Sequence, residues 1–336
     1  MTESQAGECE RVLVLKDPVT GAKAIVAVHS TQLGPAHGGI RRWPYESLEA
    51  AMGDVVALAR AMTNKCALAG IPAGGGKAVI VDQPGLDREA VYRMVGRAVD
   101  QLGGTFFTGP DVNTTAEDLR WVAEETPHVA TDAEDGPGDL AAATSEGVLS
   151  AMLALAENLG CEANGMHVVV QGLGAVGMGC VARLAAMGAQ VSVYDVVPER
   201  IEQAVADHGA VALAADKVFK TRCDVFAPCA LGGVLTESVA QRLPARGVCG
   251  AANNVFGDEA ASEILHARGV PVVPDFLANS GALIQGALWN LKQVRIAPDR
   301  LQSIGETTRA LLVRSRAEDR APIAVALEMA RERLET

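Results

Sequence analysis

Aromatic residues are scarce: only 4% of this 336-residue chain is Phe, Tyr or Trp. Its core must therefore be built from Ala, Val, Leu and Ile. Basic residues are outnumbered, 29 Lys and Arg against 41 Asp and Glu, for a formal charge of −12. Nucleic acid needs the opposite balance and is not expected as a partner. The seven cysteines, at 9, 66, 161, 180, 223, 229 and 249, form no CxxC and show no ligand-like spacing with His. This argues against both zinc and a disulfide framework, and no metal is expected. No stretch reaches the ~18 uninterrupted apolar residues of a membrane span. Met1–Arg11 is polar and acidic, without the basic and apolar regions of a signal peptide. The expectation is a reduced, cytoplasmic chain that handles small molecules, with no membrane partner.

What is present is ordinary globular composition, 49% hydrophobic and 21% charged, at a length suited to two domains. Val12–Leu15 and Ala24–Val28, joined by Asp17-Pro18-Val19-Thr20-Gly21, predict a hairpin. Helical spacing runs from Glu46 to Met62, over Arg88–Leu102 and over Thr115–Glu125, the last with Thr114-Thr115 placed to cap it. Ala78–Val81 and Thr105–Phe107 are β-like. Thr131–Asp139 has linker composition, with Asp132, Glu134, Asp135, Gly136, Pro137 and Gly138. Beyond it, strands at Val168–Gln171, Val191–Asp195, Asp224–Ala227, Val248–Gly250 and Val270–Val273 alternate with helices such as Val176–Met187 and Pro198–His208. That alternation predicts a parallel, doubly wound sheet. Asn279–Leu334 reads as helical throughout. The domains are expected at 1–135, joined by part of the C-terminal tail, and at 140–336.

Gly172-Leu173-Gly174-Ala175-Val176-Gly177 is a G-x-G-x-x-G that follows the apolar run Val168–Val170 and opens a helix. Asp195 closes the next strand, where a dinucleotide fold places an acid for the ribose hydroxyls. Gly172 permits the turn, Gly174 lets backbone approach a pyrophosphate, and Gly177 permits close helix–strand packing. The acid at Asp195, followed by Val196 and Val197 with no cation, favours NAD over NADP. Gly74-Gly75-Gly76-Lys77 is no phosphate loop: Ile71 stands where the first Gly belongs and Ala78 where Ser or Thr does. Instead Lys77 leads into a buried strand, Lys65 ends an apolar helix and Asp111 follows a short strand. A lysine in such surroundings can have its pKa lowered enough to act as a base.

Gly34-Pro35-Ala36-His37-Gly38-Gly39-Ile40-Arg41, Met62-Thr63-Asn64-Lys65, Gly74–Lys77, Thr108–Thr114, Cys223–Ala230 and Gly250–Asn254 resemble, in order, motifs of the family of glutamate, leucine, phenylalanine and valine dehydrogenases. The wording of TGPDVNT, GLGAVG and CDVFAPCA is most similar to actinobacterial phenylalanine dehydrogenases. The resemblance implies an α/β chain of two domains: an N-terminal substrate and oligomerisation domain, and a C-terminal Rossmann domain with a helical tail. It implies NAD-dependent, reversible oxidative deamination of an L-amino acid to a 2-oxo acid and ammonia, in a homo-oligomer. Lys77 would activate water and Asp111 would exchange protons with the substrate nitrogen. Lys65 would bind the α-carboxylate, with Gly39 and Asn253 beside the substrate. Thr144, Gly172, Leu173, Gly174, Ala175, Val176, Gly177, Asp195, Val196, Cys229, Ala230 and Asn253 would line the NAD site. The cleft between the domains would close over the substrate and exclude water.

By family position the side-chain pocket is His37, Gly109, Leu283 and Gly286. Its two glycines predict a deep pocket and a large hydrophobic or aromatic substrate such as phenylalanine, with His37 able to meet a polar group. Two departures from the family pattern stand out: His37 itself, and Asn279-Ser280-Gly281-Ala282 in place of N-A-G-G. Other readings are a leucine or valine enzyme, an enzyme for an unusual polar amino acid, or a non-catalytic NAD-binding homologue. A hydroxy-acid dehydrogenase lacks its His–Arg–acid constellation.

Overall fold

The computed structural model describes residues 8–131, 136–295 and 301–335. Most of Met1–Arg11, the linker residues Asp132, Glu134 and Asp135, and positions 296–300 of the expected helical tail lie outside them. The chain divides into two compact units. Unit 1 takes Met1–Gly138, Leu283–Ile296 and Ala330–Thr336; unit 2 takes Asp139–Ala282 and Ala297–Met329.

Unit 1 is built on a mixed sheet. The expected hairpin forms from β1 (Arg11–Lys16) and β2 (Lys23–Ser30), and Asp17 Oδ1 accepts from Val19 N–H at 2.7 Å in its turn. β2 pairs antiparallel with β5 (Gly74–Val81). β5 also runs parallel to β3 (Ala36–His37) and β4 (Ile40–Trp43), and β3 to β6 (Phe106–Phe107). Alternate residues of β2 face opposite ways. Ile25 and Ala27 pack with Val79 against Val55 and Ala59 of α1 (Leu48–Ala69). Ala24, Val26 and Val28 join Tyr92 and Val95 of α2 (Arg88–Gln101) on the other face. Ser47 caps α1, accepting from Ala50 N–H, and Gly70 ends it at φ +64°. Lys65 therefore lies one turn inside the helix rather than at its end. α3 (Ala116–Ala123) is capped by Thr115, in a capping box with Asp118.

Unit 2 is the doubly wound sheet. β7 (His167–Gln171), β8 (Gln190–Tyr194), β9 (Val211–Ala212), β10 (Cys223–Pro228) and β11 (Ala245–Val248) are all parallel, in the order β11-β10-β7-β8-β9. The chain runs outward from β7 to β9 and then crosses back to β10, which puts the switch point at the carboxyl ends of β7 and β10. α4 (Leu140–Asn158) has no counterpart in the sequence reading. It is long and apolar enough to cross a membrane by length and composition, yet Val148, Ala151, Met152 and Leu155 are buried within the unit. α5 (Ala175–Ala186) and α6 (Pro198–His208) follow β7 and β8.

Three expectations need correction. Val270–Val273 is not a strand but a single bridge, Val272 to Val248. Pro271 and Pro274 flank it without N–H groups, so the ladder cannot extend. For the same stretch the preceding strand ends at Val248, before Gly250. The tail is not one helical run: Gly281–Lys292, Gln302–Glu318 and Pro322–Glu335 are separate helices. Asp319, at φ +50°, ends the second of these just before Pro322.

Candidate active site

In unit 1 the GGIR and TGPDVNT segments lie side by side. Ile40 N–H donates to Gly109 O at 3.0 Å, Arg42 N–H to Val112 O at 3.0 Å, and the Thr114 hydroxyl to Ile40 O at 2.6 Å. The approach requires Gly39, because a Cβ there would sit 2.3 Å from Pro110 O and 2.9 Å from Asp111 Cβ. Lys77 lies two residues before Val79 and so shares the α1 face of β5. Its Nζ is 2.9 Å from Asp111 Oδ2. Gly75 brings α1 close: an added Cβ would be 2.1 Å from Thr63 N, one half-turn from Lys65. Gly39, Lys77 and Asp111 are thus brought into direct contact, and Thr63, in the turn of α1 that carries Lys65, packs against β5.

Burial depresses the Lys77 ammonium, and Asp111 only partly restores it, so its pKa lies below the usual lysine value. Burial would raise Asp111, but the charges of Lys77 and Arg41 outweigh it and hold the carboxyl below its ordinary value. The site thus pairs an ionised carboxylate with an amine that loses its proton more readily than usual. Such a pair can exchange protons with a substrate nitrogen and with water.

His37 is buried and stacks on Phe107 at 5.1 Å. Its Nδ1 lies 2.8 Å from Pro35 O. A carbonyl can only accept, so Nδ1 carries the proton, and burial keeps the ring neutral. Nε2 is then an acceptor, buried and without a partner. Of the two glycines expected to deepen the pocket, only Gly286 borders open space: it is buried, yet an added Cβ would meet nothing within 4 Å. A Cβ at Gly109 would rest on Ala130 at 3.4 Å. Leu283 and Gly286 lie on the Gly281–Lys292 helix, in the segment that belongs to unit 1.

In unit 2 the glycine turn lies at the end of β7. Gly172 has φ +100°, and an added Cβ would be 2.7 Å from Ala230. A Cβ at Gly177 would come within 2.0 Å of Gly172 O and 3.3 Å of Cys229 Cβ. These contacts bring Cys229 and Ala230 against the turn. Gly174, by contrast, faces open space at the start of α5, where the backbone of Ala175 and Val176 enters the helix. A dinucleotide fits here: its pyrophosphate needs an unobstructed helix N-terminus. Asp195 Oδ2 accepts from Leu173 N–H at 2.6 Å and Oδ1 from Val197 N–H at 2.9 Å. Burial would raise this carboxyl, but those N–H groups and Arg200 hold it below its ordinary value. Val196 is largely exposed beside it.

Asn279 donates to Asn253 Oδ1 at 2.8 Å and to Ala251 O at 3.1 Å. Gly281, whose Cβ would lie 3.0 Å from Thr144 Cα, ties Thr144 to the same segment. Three residues were missed in the sequence reading. Arg41 ends the GPxxGGxR motif and contacts Asp111 at 3.2 Å; the motif itself was its signal. Asn279 stands in the departed N-S-G-A. Arg200, 3.7 Å from Asp195, supplies a cation that Val196 and Val197 lack, one helical turn further on. Among the described residues, no group of three His, Cys, Asp or Glu could hold a metal, and all seven cysteines are free.

A dinucleotide turn in a doubly wound unit and a buried Lys–Asp pair in a second unit define a nicotinamide-dependent oxidoreductase. The family model described as Glu/Leu/Phe/Val dehydrogenase, dimerisation domain, matches residues 9–128, and that described as Glutamate/Leucine/Phenylalanine/Valine dehydrogenase matches residues 195–293. Phenylalanine dehydrogenase of Caldalkalibacillus thermarum is 41% identical over 85% of this chain and 80% of its own length. Leucine dehydrogenase of Bacillus cereus is 36% identical over 97% of this chain and 90% of its own. The crystal structure of L-tryptophan dehydrogenase from Nostoc punctiforme superposes with a TM-score of 0.87 at 34% identity, covering 98% of this chain and 96% of that one. The chain belongs to the glutamate, leucine, phenylalanine and valine dehydrogenase family. It is an amino-acid dehydrogenase, and its cofactor is NAD.

Proposed function

We propose that the enzyme oxidises an L-amino acid with a large aromatic or long side chain, and reductively aminates the matching 2-oxo acid. The open space at buried Gly286 carries this reading. The Gly172–Gly177 turn and Asp195 would hold NAD, which would supply the hydride acceptor for the substrate α-carbon. Lys65 holds the α-carboxylate through a charge-assisted contact, and Gly39 and Asn253 flank the substrate. Asp111 takes and returns the proton of the amino nitrogen. Lys77 deprotonates the water that attacks the α-carbon, and ammonia leaves from the resulting carbinolamine as Asp111 protonates it. His37 adds selectivity at the far end of the side chain. Its acceptor Nε2 favours a side chain ending in N–H or O–H, such as an indole or a phenol, and disfavours a carboxylate. The protein acts in the cytoplasm as a homo-oligomer; the dimerisation domain named in the family model supports the oligomer.

The test is NADH oxidation with a panel of 2-oxo acids, with and without ammonium, followed by kcat/KM for phenylalanine, tyrosine, tryptophan, leucine, valine and glutamate. Ammonium-dependent turnover with aromatic substrates ahead of valine is expected. His37→Leu should erase the advantage of donor-bearing side chains over phenylalanine, an effect of roughly 10- to 100-fold. Preference for valine or glutamate would overturn the pocket reading and leave the reaction intact.

A further inference from the structure

Two cations converge on one oxygen of Asp111. Oδ2 lies 2.9 Å from Lys77 Nζ and 3.2 Å from Arg41 Nε. The guanidinium does not end there: its NH1 reaches Asp54 Oδ2 at 3.2 Å, and the Tyr45 hydroxyl donates to that same oxygen at 2.5 Å. Arg41 from β4 thus bridges two carboxylates, one on α1 and one in the segment after β6. Lys77, Arg41, Asp111 and Asp54 sum to zero charge, and all four are mostly removed from solvent, with 7, 21, 20 and 32% of their side chains exposed. A guanidinium that merely fastened α1 to the Asp111 segment would not need to share an oxygen with the reactive lysine.

We propose that Arg41 is a positioning residue for the proton-transfer pair: anchored by Asp54 and Tyr45, it shares Asp111 Oδ2 with Lys77 and fixes how the carboxylate faces the lysine. The proposal rests on the reading of Lys77 and Asp111 as that pair. The groups facing Lys77 are Asp111, Arg41 and Asp54, and those facing Arg41 are Asp111, Asp54 and Tyr45. Removing the Arg41 charge leaves both carboxylates acting on Lys77, so the lysine and Asp111 each release their protons at higher pH. Removing the Asp54 charge leaves Arg41 uncompensated and works the other way.

The experiment is the pH profile of kcat/KM for the most active amino acid in Arg41→Gln, Arg41→Lys and Asp54→Asn, each checked for folding by thermal melting. The acid limb should move up by about one pH unit in Arg41→Gln and down in Asp54→Asn, with Arg41→Lys between wild type and Arg41→Gln. If Arg41→Gln does not fold, the opposite-signed shift in Asp54→Asn and the intermediate Arg41→Lys limb still decide. A second readout needs no turnover: acylation of Lys77, mapped by mass spectrometry, should reach half-completion at higher pH in Arg41→Gln and lower pH in Asp54→Asn. Unmoved limbs, or shifts of the same sign in both, would reduce Arg41 to a structural staple and overturn the proposal. Absence of ammonium-dependent turnover in the wild type would instead remove the underlying reading, and the proposal with it.

Discussion

Lys77 is nearly all buried in a strand, where an unpaired ammonium would be costly, and the carboxylate at 2.9 Å is what makes the charge tolerable there. Lys77→Ala should therefore cost turnover about 10²–10⁴-fold while leaving NADH binding, which belongs to unit 2, unchanged; a fluorescence titration beside a rate assay reads both. At Asp195 the carboxylate is already engaged by two backbone N–H groups. Asp195→Ala should then do two things. NADH affinity falls because Leu173 N–H loses its acceptor, and the ratio of kcat/KM for NAD over NADP falls roughly 10-fold, because Arg200 is freed to meet a 2′-phosphate. Ready use of NADPH by the wild type would contradict this view of the β8 end. Lys77 and Asp111 stood out as charges in odd company, but it was the resemblance to the dehydrogenase family that gave them roles. Arg41 was present only as the last residue of the GPxxGGxR motif, and its contact with Asp111, 70 residues on, is seen only in the fold.

At the scale of elements, short apolar runs made the β1–β2 hairpin and β7 readable, and the Thr115 cap of α3 and Pro198 at the start of α6 marked those helices within a residue or two. α4 escaped because it is rich in Ala and buried on most sides, so no polar stripe sets a 3.6-residue period. β3, β6 and β9 are two-residue strands that exist only through their partners. The glycine turn offers a test of what each glycine does. Gly174→Ala adds a methyl group to open space, so the melting temperature should stay the same while NADH affinity drops. Gly177→Ala drives a Cβ to 2.0 Å of Gly172 O, so the β7–α5 joint must shift and both stability and affinity should fall. Equal losses in the two variants would mean that the turn is not shaped for a pyrophosphate.

At the scale of the whole molecule, unit 1 is assembled from three separated stretches of chain, and no local pattern announces that. The late stretches return to the first one through specific bonds. Gln285 Nε2 donates to Pro137 O at 2.6 Å and Arg295 Nε to Gly136 O at 3.0 Å. Arg333, in the Pro322–Glu335 helix, donates to Ala67 O at 2.9 Å and Leu68 O at 2.5 Å, the last carbonyls of α1. A cation at that helix end gives Leu68 O a donor, adds a second one to Ala67 O beside Gly70 N–H, and opposes the negative pole of the dipole. α1 carries Lys65 and Asp54, so its far end is held by a residue 266 positions away. Arg333→Ala should cost about 1.5 kcal/mol and lower the melting temperature by roughly 3–6 °C, with Arg333→Lys recovering part of it. A fragment ending at Gly138 lacks all of these bonds and should show no cooperative unfolding transition, whereas the full chain should. If that fragment melts cooperatively, or Arg333→Ala melts with the wild type, the returning segments are dispensable to unit 1 and its fold is set by the first 138 residues alone.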